Sequence, residues 1–539
     1  MRFALCFCAA LVAAPVARAQ DPKGGAHPRR LLVVQVADYV YLNPLTHGAP
    51  TGTDRTREAA TRLAVGLRVP VTKDNDQLFV LSDRLATDPH LPTRDTLAKA
   101  LDGFCSTARA QDRVVIFFGA HAVEKDGKAF LVPIDGDPTA PATLLPVADV
   151  YDALKGLKVA QKVVIWDVCR RNPDRVRGRA DTGPMTEVLF KALSAAPDGV
   201  QVVVTCSPGE RALESFPRAA TVPLTGSAYF DALAQAATDL RTANPKAAPG
   251  DTIPVEALHK AVTGALKGQK PALAGDVPRA PAAFDAKEPA AKRFLLPAEP
   301  KPLLDVKAIF DELAMPQFVE GDRAPLARLP FTEAALKGYA ADVSTDEVLK
   351  NADKYPLRAA TLQALATVRN AWRLDGKEQR AVAVLSAPIG NLTKRSVSTA
   401  QELVALAIIE LELALERLEA VGDKRAAEPK RWQAHYDYVL AEVRLRLVIL
   451  NEYNRALAHV RTESLPDLPP NSPGWRLIPS EKLEGKKDAK AMFAAATDAF
   501  KQLAVDHKGT PWEVLARRAQ VTQPGARWEP IAPPKAEGK

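Results

Sequence analysis

Two residues that could together perform nucleophilic catalysis, His121 and Cys169, each follow a short apolar segment of the chain. The thiolate of a cysteine is the attacking species, and a free thiol is only a few per cent ionised at neutral pH. A nearby imidazole can take the thiol proton and later return it to the leaving amine of a peptide. The alternative is structural, because a lone cysteine after an apolar strand is usually a small buried hydrophobe. The two residues therefore indicate either a cysteine-peptidase dyad or two unrelated core positions.

Hydrolysis at such a dyad would also need an oxyanion hole. Backbone N–H groups must face the oxygen that becomes charged when the scissile carbonyl is attacked. The peptide nitrogens of Cys169 and Ala122 are the candidates, because both residues lie just beyond the ends of the two apolar segments. We expect these two N–H groups to point towards the substrate carbonyl.

Strands and helices alternate over the part of the chain that must position these residues, from about residue 30 to 268. Short apolar, β-rich runs predict strands at 31–36, 78–81, 114–118, 163–166 and 202–205. Helical periodicity predicts helices near 54–66, 93–108, 148–157, 186–195 and 227–240. This alternation implies a mostly parallel sheet covered on both faces. Because the carboxyl ends of parallel strands meet at one edge, His121 and Cys169 are expected at the same edge.

Two motifs carry a resemblance to a known family. The first is DRVVIFFGAHA at 112–122, followed by DGKAFLVPID at 126–135, and the second is KVVIWDVCRRNP at 162–173. They resemble the strand, S-G-H-G and D-[AS]-C-R-x-N-P segments of bacterial caspase-like and metacaspase domains. The His–Cys separation also agrees with the roughly fifty residues found in caspases. The resemblance covers about half the chain and implies a caspase-like three-layer α/β sandwich over residues 28–268.

The resemblance implies a cysteine endopeptidase in which Cys169 is the nucleophile and His121 the general base. Asp167 matches the acidic residue of metacaspases that binds the side chain before the scissile bond, and it would select Arg or Lys by a charge-assisted bond. Its alternative role is a strand-end acceptor for loop N–H groups. The family's Gly-His-Gly is here Ala120-His121-Ala122, which restricts φ beside the histidine. The competing interpretation is therefore a catalytically inactive scaffold.

The remaining cysteines suggest no metal or disulfide framework. Cys105 and Cys206 match no catalytic position of the family, and both are expected to be core thiols. No C-x-x-C pattern is present, and no metal ligands or cofactors are predicted. Metacaspase relatives can be activated by calcium, but the sequence assigns no ligands for it.

The second half of the chain changes to a helical period. Residues 269–301 are rich in Pro and Ala and predict a linker, 302–522 an all-α domain, and 523–539 a disordered tail. The segment AFKQLAVDHKGTPW at 499–512 is similar to the helix and turn of a tetratricopeptide repeat. Such a domain would bind protein partners, whereas the peptidase domain would bind a protein or peptide substrate.

Export is predicted from the first residues. Residues 1–19 have a basic start, an apolar run and an A-x-A site, as in a cleaved signal peptide. The expected location is periplasmic or secreted, with no membrane span. The net charge of +8 falls by two when Arg2 and Arg18 leave. Spread over this chain, without aromatic residues interleaved in a basic stripe, that charge does not favour nucleic-acid binding.

Overall fold

The computed structural model describes most of the chain from residue 28 to residue 531. The described residues are 28–45, 55–85, 90–170, 178–179, 182–214, 226–243, 254–266, 269–276, 287–298, 304–313, 326–371, 373–374, 377–378, 381–485 and 487–531. The predicted signal peptide and part of the arginine-rich segment after Cys169 lie outside them.

The first half of the chain alternates strands and helices. The strands are β1 (Arg29–Gln35), β2 (Leu78–Ser82), β3 (Arg113–Gly119), β4 (His121–Lys125), β5 (Lys128–Val132), β6 (Leu145–Pro146), β7 (Gln161–Asp167), β8 (Val200–Val204) and β9 (Ala272–Ala274). The helices are α1 (Arg55–Gly66), α2 (Arg94–Ser106), α3 (Val147–Gly156), α4 (Glu187–Ser194), α5 (Ala228–Ala243) and α6 (Val255–Ala265). All ten elements expected from periodicity are present, with bounds that differ by a few residues.

The central sheet has the strand order β2-β1-β3-β7-β8-β9. The first five strands are parallel, and β9 runs antiparallel to β8. Alternate side chains face opposite layers, so Leu31 and Val33 pack with α1, α5 and α6, whereas Leu32 and Val34 pack with α2, α3 and α4. The strands read as continuous apolar runs because both faces are buried. The predicted three-layer α/β sandwich is confirmed.

A second, smaller sheet was not predicted. It has the order β4-β5-β6, and its first strand begins at His121 directly after β3. The turn between β4 and β5 places Asp126 and Gly127 at φ values of 51° and 72°. A two-residue connection with both residues in the left-handed region is the turn that tight hairpins favour. The chain therefore reverses just past the histidine instead of continuing into a loop.

The segment predicted as a linker is partly integrated into the first domain. Ala272–Ala274 forms the edge strand β9, so the domain does not end at residue 268. Further on, the ring of Phe294 packs against Phe79, and the carbonyl of Ala291 accepts a hydrogen bond from Gln77 Nε2. The Pro and Ala content predicted a linker, but the described residues of this segment take part in strand pairing and packing.

The second half of the chain is mainly helical, but it is not all-α. Its helices are α7 (Val306–Leu313), α8 (Glu333–Leu336), α9 (Thr345–Lys350), α10 (Pro356–Asn370), α11 (Asn391–Ala420), α12 (Lys430–Arg461), α13 (Lys487–Asp506) and α14 (Pro511–Gln520). Its strands are β10 (Arg373–Leu374), β11 (Lys377–Glu378), β12 (Val384–Ser386), β13 (Gly474–Ser480) and β14 (Gly525–Pro530). The strands β12, β13 and β14 form an antiparallel sheet, which corrects the all-α expectation.

The last strand also corrects the predicted disordered tail. Residues 525–530 pair with β13, and of the predicted tail the structure describes residues 523–531. Trp528 is buried, and its indole Nε1 donates to the Ala456 carbonyl of α12 at 2.7 Å. The residues on either side of this tryptophan are polar, which favoured the prediction of a disordered tail. Alternation of polar and apolar residues is nevertheless the pattern of a half-buried strand. Among the helices that the structure describes, none has a stretch long and apolar enough to cross a bilayer.

Candidate active site

The two predicted catalytic residues lie at the carboxyl edge of the central sheet, on neighbouring strands. Gly119 at the end of β3 is the register partner of Asp167 at the end of β7. The next peptide continues the pairing, since Ala120 N donates to Asp167 O at 3.3 Å. His121 and Cys169 each follow two residues beyond this register pair. The sheet therefore brings both residues to one edge, as the strand alternation predicted.

Cys169 occupies a left-handed turn directly after β7. Its φ is +60°, a region that non-glycine residues rarely adopt and that costs on the order of 1–3 kcal/mol. Such strain persists only where the surrounding structure holds the residue, and it occurs most often at active sites. Here the Cys169 carbonyl accepts from Ala212 N at 3.3 Å, and Arg170 forms a parallel bridge with Ala212. The turn changes the direction of the chain at the residue assigned as nucleophile.

The thiol of Cys169 is buried and lies against a second thiol. Cys169 and Cys206 are both fully buried, and their side chains are hydrogen-bonded to each other. Cys206 Sγ also lies 3.8 Å from the Val168 carbonyl, within reach of a weak hydrogen bond. The hydrogen bond to Cys169, followed by burial, raises the pKa of the Cys206 thiol. Cys206 therefore remains a protonated neighbour of Cys169, whereas the sequence placed it only in the core.

The imidazole of His121 is held on both ring nitrogens. Nε2 lies 2.9 Å from the Asn43 carbonyl, and Nδ1 lies 3.0 Å from Thr182 Oγ1. A carbonyl oxygen only accepts, so Nε2 must carry the proton, which leaves Nδ1 as the basic nitrogen of the neutral ring. The Thr182 hydroxyl donates to that nitrogen. The Asn43 carbonyl thus sets the tautomer of His121, and the Thr182 hydroxyl lies at Nδ1, the nitrogen that would accept a proton from a thiol.

Tyr39 fixes the backbone and the ring plane of the histidine. Its hydroxyl accepts from His121 N at 2.7 Å and lies 3.4 Å from the Val36 carbonyl, to which it can donate. The two rings are 4.7 Å apart between centroids and tilted by 52°. Burial raises the pKa of Tyr39 well above its usual range, so the phenol stays protonated. Tyr39 follows the first strand in the sequence, but nothing in the sequence indicates its contact with His121.

The two alanines that replace glycine beside the histidine are not strained. Ala120 and Ala122 are both buried, and neither has a positive φ. Ala122 lies inside β4, where it is the register partner of Leu131. A strand residue needs no left-handed φ, so a methyl group is accommodated without backbone strain. The concern that alanine would restrict the backbone here is not supported, and the N–H of Ala122 is retained.

Asp167 is enclosed and engaged by residues of its own chain. Its Oδ1 accepts from Thr205 Oγ1 at 3.0 Å, and its Oδ2 lies 3.4 Å from Nε of Arg170. Both side chains are fully buried. Within the described residues, no nitrogen of the Arg170 guanidinium has a hydrogen-bond partner, so this ion pair is a loose contact. In this conformation the carboxylate faces an internal arginine and is not open to a substrate side chain.

A segment that follows Cys169 covers His121, and the C-terminal domain contacts this segment. Besides Thr182, the segment includes Arg179, which is buried and donates from Nε to the Leu42 carbonyl at 3.2 Å. Arg179 also forms an antiparallel bridge with Thr522, and the Gly178 carbonyl accepts from Gln523 N. We call the described residues here, Gly178, Arg179 and Thr182, the covering segment; residues 180 and 181 lie outside the described part of the chain. The site is therefore closed by contacts that no local motif reveals.

Metal binding finds no support at this edge of the sheet. Over the part of the chain that the structure describes, no group of three or more His, Cys, Asp or Glu side chains could hold a metal ion.

Comparison with known proteins agrees with this geometry. The family model described as "Caspase domain" matches residues 29–280. The N-terminal domain of this protein is a member of the caspase family of cysteine peptidases. The match extends past residue 268 and includes the edge strand β9. No curated protein matches the chain.

Proposed function

We propose that this protein is a cysteine endopeptidase of the caspase-like class, held in a latent conformation. The observation that carries the proposal is the left-handed turn of Cys169 at the sheet edge shared with His121, within a caspase domain. A buried structural cysteine needs no strained backbone, whereas a nucleophile that must project from a strand end does. The tautomer of His121, which leaves Nδ1 basic, supports the same assignment.

The proposed mechanism uses only groups of this chain. Nδ1 of His121 takes the proton of the Cys169 thiol, and the thiolate attacks the carbonyl carbon of the scissile peptide bond. The N–H groups of Cys169 and Ala122 stabilise the oxyanion of the tetrahedral intermediate. The imidazolium returns its proton to the leaving amine, and water then hydrolyses the thioester with His121 again acting as base.

Latency follows from what surrounds the dyad in this conformation. Cys169 is fully buried, and the Thr182 hydroxyl occupies Nδ1 of His121. Both features must change before a peptide can reach the thiol, so we propose that displacement of the covering segment activates the enzyme. The same burial favours a second candidate, a catalytically inactive caspase-like scaffold that binds protein partners through its helical domain.

Cleavage after Arg or Lys is the finer proposal for specificity. Asp167 would provide the acidic group, but Arg170 now faces its carboxylate. A substrate guanidinium would therefore have to replace an internal arginine, which is an exchange of one charge-assisted contact for another. We propose that such an exchange accompanies opening of the site. The predicted signal peptide would export the enzyme, so we propose that its substrates are proteins outside the cytoplasm.

The decisive experiment measures hydrolysis of fluorogenic peptides with Arg, Lys or Asp before the scissile bond. We expect turnover of the Arg and Lys peptides and a loss of at least about 10³-fold in kcat/KM for Cys169→Ala and for His121→Ala, as other catalytic nucleophiles and bases show. Cys105→Ala is the matched control, because Cys105 is a buried thiol of α2 away from the dyad. Unchanged activity in Cys169→Ala would exclude the mechanism.

The scaffold is distinguished by a probe that reports on the thiol itself. A peptidyl halomethyl ketone alkylates an activated cysteine without requiring turnover, and it should label wild-type protein but not Cys169→Ala. If neither labelling nor hydrolysis occurs, even after proteolytic release of the covering segment, the scaffold is the correct function.

A further inference from the structure

A cavity lies at the opposite edge of the central sheet from Cys169. Its floor is apolar and consists of side chains from the middle strands and from two helices, namely Val115, Val163, Ile165, Val203, Leu233 and Leu258. The helices α5 and α6 provide its walls, on the face of the sheet that packs with α1. The enclosed part measures about 80 Å³ and opens to a wider mouth. This place in the fold has no part in the mechanism proposed above.

The mouth of the cavity has arginines at neighbouring positions on adjacent strands. Arg29 of β1 is the register partner of Arg113 of β3, which is in turn the partner of Gln161 of β7. Arg241, near the end of α5, joins them at the lining. Like charges at directly opposite positions destabilise neighbouring strands. The stability of the sheet therefore does not explain why Arg29 and Arg113 are neighbours.

Within the described residues, Arg29 Nη2 is buried without a hydrogen-bond partner, and the charged groups that act on Arg29 are all arginines. Burial, and after it repulsion from Arg241, Arg113 and Arg68, together lower the pKa of Arg29 to about 10. Burial also lowers the pKa of Arg113. Glu256, the acidic residue in the first turn of α6, is engaged elsewhere, because it accepts a hydrogen bond from Gln201. A partly buried cation surrounded by like charges is destabilising unless an anion compensates it.

We propose that this cavity binds a small amphipathic anion, a short aliphatic carboxylate. The carboxylate meets the guanidinium groups of Arg29 and Arg113, which can donate charge-assisted hydrogen bonds to both of its oxygens. The alkyl tail enters the space above Val163 and Val203. The enclosed volume is about half that of the ~150 Å³ apolar cavity that admits benzene, so only the end of a short tail such as that of hexanoate is enclosed, and its other carbons lie in the wider mouth.

The proposal is tested with the full-length protein and sodium hexanoate as the probe, by titration calorimetry and thermal unfolding. We expect hexanoate to bind at least tenfold more tightly than acetate and to raise Tm, because a ligand that binds only the folded state stabilises it. Hexylamine, which has the same tail and the opposite charge, should leave Tm unchanged. Equal responses to hexanoate, acetate and sulfate would overturn the proposal, since they would indicate an anion site without an apolar pocket.

Two variants assign the site. Arg29→Gln should raise Tm in the absence of ligand, because it removes repulsion, and should weaken hexanoate binding at least tenfold. Arg113→Gln, which lies nearer the surface, should weaken binding similarly and remains informative if the first variant fails to fold. The matched control is Arg395→Gln, an exposed arginine of α11. Unchanged hexanoate affinity in both cavity variants overturns the proposal, and none of these measurements depends on peptidase activity.

Discussion

At the scale of single residues, the candidate site depends on contacts made by atoms that carry no sequence signature. A backbone carbonyl at Asn43 selects the tautomer of His121, and a phenol at Tyr39 accepts from its amide. Neither contact could be predicted, because a carbonyl is common to all residues and the tyrosine is 82 positions away. The residue types that perform the chemistry were nevertheless visible, since thiol and imidazole are rare and followed two apolar strands.

The contact between Thr182 and His121 leads to the first prediction. Thr182→Val keeps the shape of the side chain and removes the hydroxyl that donates to Nδ1. Loss of a hydrogen bond worth about 1 kcal/mol should raise kcat/KM about fivefold, because the imidazole becomes free to accept the thiol proton. Steady-state kinetics on the fluorogenic peptides measures the change.

The control for this prediction is Thr182→Ser, which retains the hydroxyl and should behave as wild type. A fall in kcat/KM for Thr182→Val would contradict the prediction, since it would mean that the hydroxyl orients the imidazole productively. A KM effect without a kcat effect would also contradict it, because removal of a competing donor acts on proton transfer.

At the scale of elements, the covering segment contacts the residues just before the last strand of the chain and so links the two domains. Arg179 forms a bridge with Thr522, and Gln523 N donates a hydrogen bond to Gly178 O. Thr522 and Gln523 lie between α14 and β14. These contacts place the covering segment under the control of the C-terminal domain. A domain that packs against an active-site segment can change activity without contacting the substrate.

Replacement of Gln523 tests this control. Gln523→Pro removes the N–H that donates to Gly178 O, because proline has no amide hydrogen. We expect kcat/KM to rise about fivefold as the covering segment loosens, the effect of about 1 kcal/mol from one hydrogen bond. Limited proteolysis between residues 170 and 182 should accelerate in parallel. Gln523→Ala retains the N–H and should leave both measurements unchanged, and equal behaviour of the two variants would refute the idea.

At the scale of the whole molecule, the two halves of the chain share one hydrophobic core. A single buried cluster extends from the α2–α4 layer of the peptidase domain to residues of α12, α13 and α14. Arg517 of α14 also forms an ion pair with the buried Asp137 at 3.1 Å, and Arg328 donates to the Asp83 carbonyl at 3.4 Å. The apolar cluster matters more than these polar contacts, because partly exposed ion pairs contribute little.

A shared core predicts cooperative unfolding. We expect one calorimetric transition for the full chain, and we expect Trp528→Ala to lower its midpoint without splitting it. The tryptophan is buried against α12, and its removal should cost about 3–5 kcal/mol. Leu392→Ala, at a position that is 79% exposed, should change the midpoint little. An early transition that moves alone, while a later one stays in place, would show that the halves unfold independently.

The sequence by itself determined the five parallel strands of the first domain and five of its helices, α1 to α5, but not the small sheet β4-β5-β6. Apolar runs and helical periodicity are local signals. They predicted all five parallel strands of the central sheet, whereas the antiparallel strand β9 was placed in the linker. They also placed His121 and Cys169 at one sheet edge, because the carboxyl ends of parallel strands must lie together. The motifs added the family, which the domain match supports.

Only the tertiary structure decided how that pair is held. The left-handed turn of Cys169, the thiol contact with Cys206, the pairing of Asp167 with Arg170 and the covering segment all depend on chain segments distant in sequence. The strand β9 was missed because so short a segment acquires strand structure from its partner and not from local propensity, whereas the alternation in β14 was a local signal that the tail prediction overlooked. Local patterns specify which elements form, whereas long-range packing decides whether the site they bring together is open or closed.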